Sequence, residues 1–329
     1  MKQIVRRVKI IGTGSYVPEN VVTNKQLEQK VDTSDIWVQT NLGIRERRIA
    51  SETESTSDLA ANAAMQAMND AGLNPNEIDL IIVATATPDR LAPSTACIVQ
   101  DKIKAYSAVC FDLAAVCSGF LFGISTAAQF IASGIYNNAL VIGADTFSRI
   151  TDWNRRDCVF FGDGAGAAVL RFSEGDNGFL AFRLYSDGKG KWNFTIPGGG
   201  SEYPLNEENA RNGLRFFKMN GRAVYDKAIE VLPKAINQIL KDTNLTVTDI
   251  DYMIPHQPSI KILRDTASII GLPFEKVLTN MDKYANTSGG TIPILLDEAR
   301  KNKKILDGNY LLFAAIGSGW TWGTSIIKW

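Results

Sequence analysis

Short runs of uninterrupted apolar residues punctuate this chain: Leu80–Ala84 (LIIVA), Leu140–Ala144 (LVIGA) and Leu311–Ala315 (LLFAA). A strand that shows no polar alternation is covered on both faces. Between the runs, apolar positions recur at helical spacing. Ser57–Ala71 carries alanine and methionine in that rhythm, and Ala223–Leu240 carries Val224, Ile229, Val231, Leu232, Ile236 and Ile239. Val109–Leu113 predicts a further strand, followed by a helix whose apolar face is Phe120, Ile124, Ala127, Ala128 and Ile131. Strands flanked by helices predict an α/β fold.

The pattern occurs twice. DAGLNPNEIDLII (Asp70–Ile82) aligns without a gap with DTNLTVTDIDYMI (Asp242–Ile254) at an offset of 172, with five of thirteen positions identical. In both copies a helix leads through a polar turn to Ile-Asp and an apolar strand. The runs at Leu140 and Leu311 repeat at an offset of 171. Two halves of similar topology follow, 1–172 and 173–329. No Pro- or Ser-rich linker parts them, so a shared core is expected.

Composition removes several function classes. In 329 residues, 35 Lys+Arg balance 35 Asp+Glu, leaving no global field to draw nucleic acid or an anionic membrane. Nowhere do 18 apolar residues run together, so no membrane span is expected. The basic opening residues Lys2, Arg6, Arg7 and Lys9 meet Gly12 too soon for a signal peptide. Cys97, Cys110, Cys117 and Cys158 form no Cys-x-x-Cys pair, which argues against a disulfide scaffold or zinc ribbon. One histidine excludes a His-rich metal site or a His–His relay, and no metal is expected. The expectation is a soluble, cytoplasmic protein.

Three residues at element junctions carry candidate chemistry. Cys117 falls between the predicted strand Val109–Leu113 and its helix, with Ser118 and Gly119 behind it. A thiol there meets unpaired N–H groups and the positive end of the helix dipole, which favour thiolate. His256, in IPHQPS, follows the strand Tyr252–Ile254, at the end where open α/β sheets place ligands. Asn286 lies in the turn YANTSGGTIP before the predicted helix Ile292–Lys301. Each alone has an ordinary structural reading: a small buried hydrophobe, a structural histidine, a turn residue. Together, a thiolate with His and Asn donors suits acyl transfer through a thioester.

DLAAVCSGF, IPHQPSIKI and YANTSGGTIP are joined by FFGDGAGAAVL (Phe160–Leu170), GSGWTWG (Gly317–Gly323) and TSDIWVQTNLGIRERRI (Thr33–Ile49). In this order they resemble the β-ketoacyl-acyl-carrier-protein synthase III family along essentially the whole chain. The resemblance implies the thiolase fold, two duplicated halves in a five-layer αβαβα sandwich, and a homodimer. It implies Cys117 as the nucleophile that takes an acyl group from coenzyme A. His256 and Asn286 would hold the thioester carbonyl of malonyl-acyl carrier protein while carbon dioxide leaves. The backbone N–H groups of Cys117 and Ser318 would form the oxyanion hole. Trp37 would stack on the adenine of coenzyme A, with Arg155 on its other face and Thr33 nearby, and Gly221 and Arg222 would line the pantetheine tunnel. Lys234, Lys241, Lys261 and Arg264 would greet the acidic carrier protein. Coenzyme A enters as substrate, so no resident cofactor is implied.

The sequence departs from the family pattern at several positions. His-Gln-Pro-Ser (His256–Ser259) stands for His-Gln-Ala-Asn, and Ile316-Gly317-Ser318-Gly319 for Phe-Gly-Gly-Gly. These variants look similar to relatives that build alkylquinolones or dialkylresorcinols. Ala92 replaces an aromatic wall of the acyl pocket, implying a longer or bulkier starter, and Ile316 weakens the push toward decarboxylation. Asn41 replaces an arginine and implies weaker phosphate contact, with a carrier-protein-bound primer as the alternative donor. Acyl transfer to oxygen or nitrogen, condensation with cyclisation, a non-catalytic partner subunit and a cysteine hydrolase remain as other readings.

Overall fold

The computed structural model describes residues 7–329; Lys2 and Arg6 lie outside them. One mixed sheet contains β1 (Val8–Tyr16), β2 (Leu80–Ala84), β3 (Val109–Leu113), β4 (Asn138–Thr146) and β5 (Asp163–Phe172), in the spatial order β1-β5-β4-β2-β3. A second contains β6 (Gly178–Ser186), β7 (Tyr252–Pro255), β8 (Tyr310–Gly317) and β9 (Thr321–Lys328), in the order β7-β8-β9-β6. The apolar runs are the central strands, and β2 and β4 are buried at every position.

The principal helices are α1 (Asp35–Leu42), α2 (Thr56–Asp70), α3 (Thr95–Ile103), α4 (Gly119–Ala132), α5 (Gly221–Thr243), α6 (Ile260–Ile270) and α7 (Thr291–Lys301). Alternate residues of β2 show how they are layered. Ile81 and Val83 pack on one side with Ala60, Ala64 and Met68 of α2, while Leu80 and Ile82 pack on the other with Phe120 and Ile124 of α4 and Leu296 of α7. α2 and α3 cover the outer face of the first sheet, α4 and α7 lie between the sheets, and α5 packs outside the second, joined there by α6. Helix, sheet, helix, sheet, helix is the expected thiolase-type sandwich. The alanine spacing of α2 also has a cause: a Cβ at Gly12 of β1 would come within 2.4 Å of the Ala67 carbonyl oxygen, so helix and strand are in backbone contact.

The duplication is visible in the register. Ile81 of β2 lies opposite Leu140 of β4, and Met253 of β7, 172 residues on, lies opposite Leu312 of β8. The structural counterpart of Leu140 is therefore Leu312, one residue from the Leu311 that the sequence pairs with it, and both repeats share the single offset. Where the first sheet has β3, the second keeps, among the described residues, only a parallel bridge between Met253 and Val277.

Candidate active site

Cys117 sits in one tight turn, Val116–Ser118, between β3 and α4; His256 follows β7; Asn286 and Ser288 form the turn before α7. The duplication explains the meeting, because Cys117 and the Asn286 turn precede the two equivalent helices between the sheets. Six non-glycine residues among those described have positive φ, and three belong here: Val116 (47°), Ala285 (56°) and Ser288 (52°). Each such conformation costs about 1–3 kcal/mol and persists only when the surroundings impose it. Cys117, His256 and Asn286 all line one cavity of about 620 Å³, together with Ile316 and Ser318.

Hydrogen bonds fix the orientation of each group. The backbone N–H of Ser288 donates to Asn286 Oδ1 at 2.8 Å, and the Asn286 backbone is bridged to Phe160 and Gly162. With its oxygen taken, the amide has its NH₂ group left to offer the cavity. His256 Nδ1 lies 2.8 Å from the Thr291 hydroxyl, which donates to the Ser288 carbonyl at 2.9 Å. Burial drives the imidazole pKa down to about 3, so the ring is neutral near pH 7. The turn at Gly317 closes against the cysteine: a Cβ there would meet Ala115 O, Cys117 N and Ser118 N, each at 3.0 Å.

Cys117 does not match its expected thiolate state. Its thiol is 8% exposed and donates weakly to Ser288 Oγ at 3.7 Å. Burial pushes its pKa up to about 12, outweighing the hydrogen bonds from Ser288 and its own backbone. α4 itself starts at Gly119, two residues later. Burial therefore favours the neutral thiol at Cys117.

The other expected residues divide. Trp37, Gly221 and Arg222 line the outer part of the cavity. Arg155 instead turns away, paired with Asp157 and donating to the Phe217 carbonyl, while its neighbour Arg156 lies 4.4 Å over the Trp37 ring. Thr33 is half-buried and Ala92 exposed, and neither is among the residues lining this cavity. Asn41 donates to the Trp37 carbonyl one turn back. Of the basic patch, Lys261 reaches the cavity, held by Asp265 and Tyr225, whereas Lys234 pairs with Glu230 and Arg264 packs on Phe274.

Several contributors escaped the sequence reading. Phe161, Phe194, Met219 and Trp320 wall the cavity, and the doubled Phe of FFGDG was the available signal. Asp145, fully buried, accepts from Thr85, Ala86, Thr87 and Gly289. It ties the end of β2 to the Asn286 turn.

Comparisons with known proteins agree with this geometry. Residues 111–188 match the family 3-oxoacyl-[acyl-carrier-protein (ACP)] synthase III, and residues 240–329 match its C-terminal part. A β-ketoacyl-[acyl-carrier-protein] synthase III from Clostridium acetobutylicum is 46% identical over 323 residues, 98% of either chain. The crystal structure of 3-oxoacyl-[acyl-carrier-protein] synthase III from Aquifex aeolicus superposes with a TM-score of 0.91 at 40% identity, covering 98% of this chain and 100% of that one. The priming β-ketosynthase of the R1128 polyketide pathway reaches the same TM-score at 27% identity, covering 99% and 98%.

Proposed function

The chain belongs to the 3-oxoacyl-[acyl-carrier-protein] synthase III family, and from that premise we propose that it joins an acyl group from acyl-CoA to malonyl-acyl carrier protein, giving a β-ketoacyl product. The observation that carries the reading is the convergence of Cys117, His256 and the NH₂ end of Asn286 on one cavity. The Cys117 thiol gives up its proton as it attacks the acyl-CoA carbonyl, and neutral His256 is the base at hand. Coenzyme A leaves as the thiol. Asn286 and His256 then hold the malonyl thioester carbonyl while carbon dioxide departs, and the carbanion so formed attacks acyl-Cys117. Backbone N–H groups of Cys117 and Ser318 steady the tetrahedral oxyanion, and Cys117 leaves and regains its proton. The malonyl carboxylate supplies the carbanion, so the reaction draws on no resident cofactor.

The partners follow from the same reading: acyl-CoA, acyl carrier protein and a second copy of the chain, in the cytoplasm. β3 is the edge strand of its sheet, with Val109 49% exposed. Asp112 of β3 accepts the backbone N–H groups of Thr95 and Ala96, placing Leu91–Pro93 beside that edge, and Leu91 is 90% exposed. A second copy paired along β3 would cover this apolar rim and bring Ala92 toward the partner's cavity. Among the described residues no helix is long and apolar enough to cross a membrane.

Intact-protein mass spectrometry after incubation with a panel of acyl-CoA thioesters tests the proposal. Wild type should gain one acyl mass that Cys117→Ser lacks, and adding malonyl-acyl carrier protein should release carbon dioxide. No adduct with any donor would sink the reading. An adduct without carbon dioxide release would favour acyl transfer to oxygen or nitrogen.

A further inference from the structure

Thr291 opens α7 with its hydroxyl between two acceptors, 2.8 Å from His256 Nδ1 and 2.9 Å from the Ser288 carbonyl. A hydroxyl has one hydrogen to give. While that hydrogen points at Ser288, Thr291 Oγ1 accepts from the ring. Nδ1 then carries the imidazole proton, and Nε2 is a bare lone pair. When the hydroxyl turns to Nδ1, the ring proton belongs on Nε2, and that nitrogen becomes a donor. The turn orphans nothing, because the Ser288 carbonyl keeps the backbone N–H of Thr291. Thr291 is 2% exposed and His256 3%, so bulk water does not compete for the hydrogen.

Condensation asks both forms of one ring. Acylation needs an acceptor for the Cys117 proton, whereas decarboxylation needs a donor to the malonyl thioester carbonyl. The chain has a single histidine to serve both.

We propose that Thr291 is a positioning residue that sets the tautomer of His256, its hydroxyl hydrogen alternating between the Ser288 carbonyl and His256 Nδ1 as the two half-reactions alternate. The inference rests on the functional reading above. In acylation, Nε2 takes the Cys117 proton and returns it to the departing coenzyme A sulfur, leaving Nδ1–H in place. Between the half-reactions the ring gains a proton at Nε2 from water in the cavity and, as the Nδ1–hydroxyl contact transiently opens to that water, loses one from Nδ1 to it. The net change is zero, and the Thr291 hydrogen turns from Ser288 to Nδ1.

The single histidine makes the test direct. In tag-free protein labelled with ¹⁵N-histidine, both ring nitrogens can be assigned without ambiguity. The free enzyme should show Nδ1–H, and the acyl-enzyme loaded with a non-decarboxylating malonyl thioester analogue should show Nε2–H. Thr291→Val should remove this change and slow acylation of Cys117 by about 10- to 100-fold at unchanged KM for acyl-CoA, within the range of general acid–base effects. Thr291→Ser, which keeps the hydroxyl, should restore both. One tautomer in both wild-type states would overturn the proposal without recourse to a variant, as would unchanged ring signals in Thr291→Val. If wild type took no acyl group at all, the functional reading would fall; if it acylated and condensed with a static ring, this proposal alone would fall.

Discussion

The backbone N–H of Ser288 donates to the side-chain oxygen of Asn286 at 2.8 Å, across two residues of a turn that Ser288 enters at a positive φ. This contact settles which end of the amide serves as donor. Asn286→Asp keeps the oxygen for Ser288 but offers the cavity a carboxylate, which cannot donate. Decarboxylation of malonyl-acyl carrier protein should fall by about 100-fold or more, the usual cost of one oxyanion donor. Acylation of Cys117, followed by mass spectrometry, should change far less. Equal losses in both half-reactions would place Asn286 in the fold and not in the donor set.

The protonated state of Cys117 has a direct readout. With its pKa pushed up to about 12 by burial, the thiol stays almost wholly protonated at pH 7. Alkylation of Cys117 by iodoacetamide, followed on its own peptide, should be slow at neutral pH. Its rate should rise about tenfold per pH unit up to pH 9.5, with no plateau. A plateau between pH 6 and 8 would mean a thiolate stabilised at rest.

The sequence carried the site wherever the chemistry resided in one residue type at one junction. Cys117, His256 and Asn286 were legible because strand-to-helix boundaries are marked by periodicity, and the boundaries of β2 and β3 read from it are those observed. What was not legible depended on which way side chains turn across sequence-distant contacts. Asp145 meets Gly289 from 144 positions away, and nothing in its own segment announces that partner. Arg155 and Arg156 are adjacent and chemically identical, so only the backbone decides which faces Trp37. The thiolate expectation failed for a related reason: a helix start is visible in sequence, whereas the depth of burial that overrides it is not.

The exchange of arginines predicts a binding difference. Arg156→Ala removes the cation 4.4 Å from the Trp37 ring, an exposed interaction of about 0.5–1 kcal/mol. KM for acyl-CoA should rise by roughly 2- to 5-fold with kcat preserved. Arg155→Ala breaks the Asp157 pair and the bond to the Phe217 carbonyl, so its effect should appear in thermal stability with KM little changed. The reverse pattern would return the adenine-facing role to Arg155.

His256 predicts a pH dependence whose sign is fixed by its burial. Its pKa falls from 6.5 in the unfolded chain to about 3 in the native state. Between those values the unfolded state binds a proton that the native state refuses, so this group's contribution is intact above pH 6.5 and is lost as pH falls toward 3. The loss amounts to about 1.4 kcal/mol per pH unit within that window. Two measurements check it. The imidazole ¹⁵N signals should show no titration between pH 8 and 5, and denaturant midpoints should decline more steeply from pH 6.5 to 5 in wild type than in His256→Gln, which has no group to titrate there. A midpoint for the ring near pH 6.5 would show that the site is open to water and would remove the reason to treat His256 as neutral at rest.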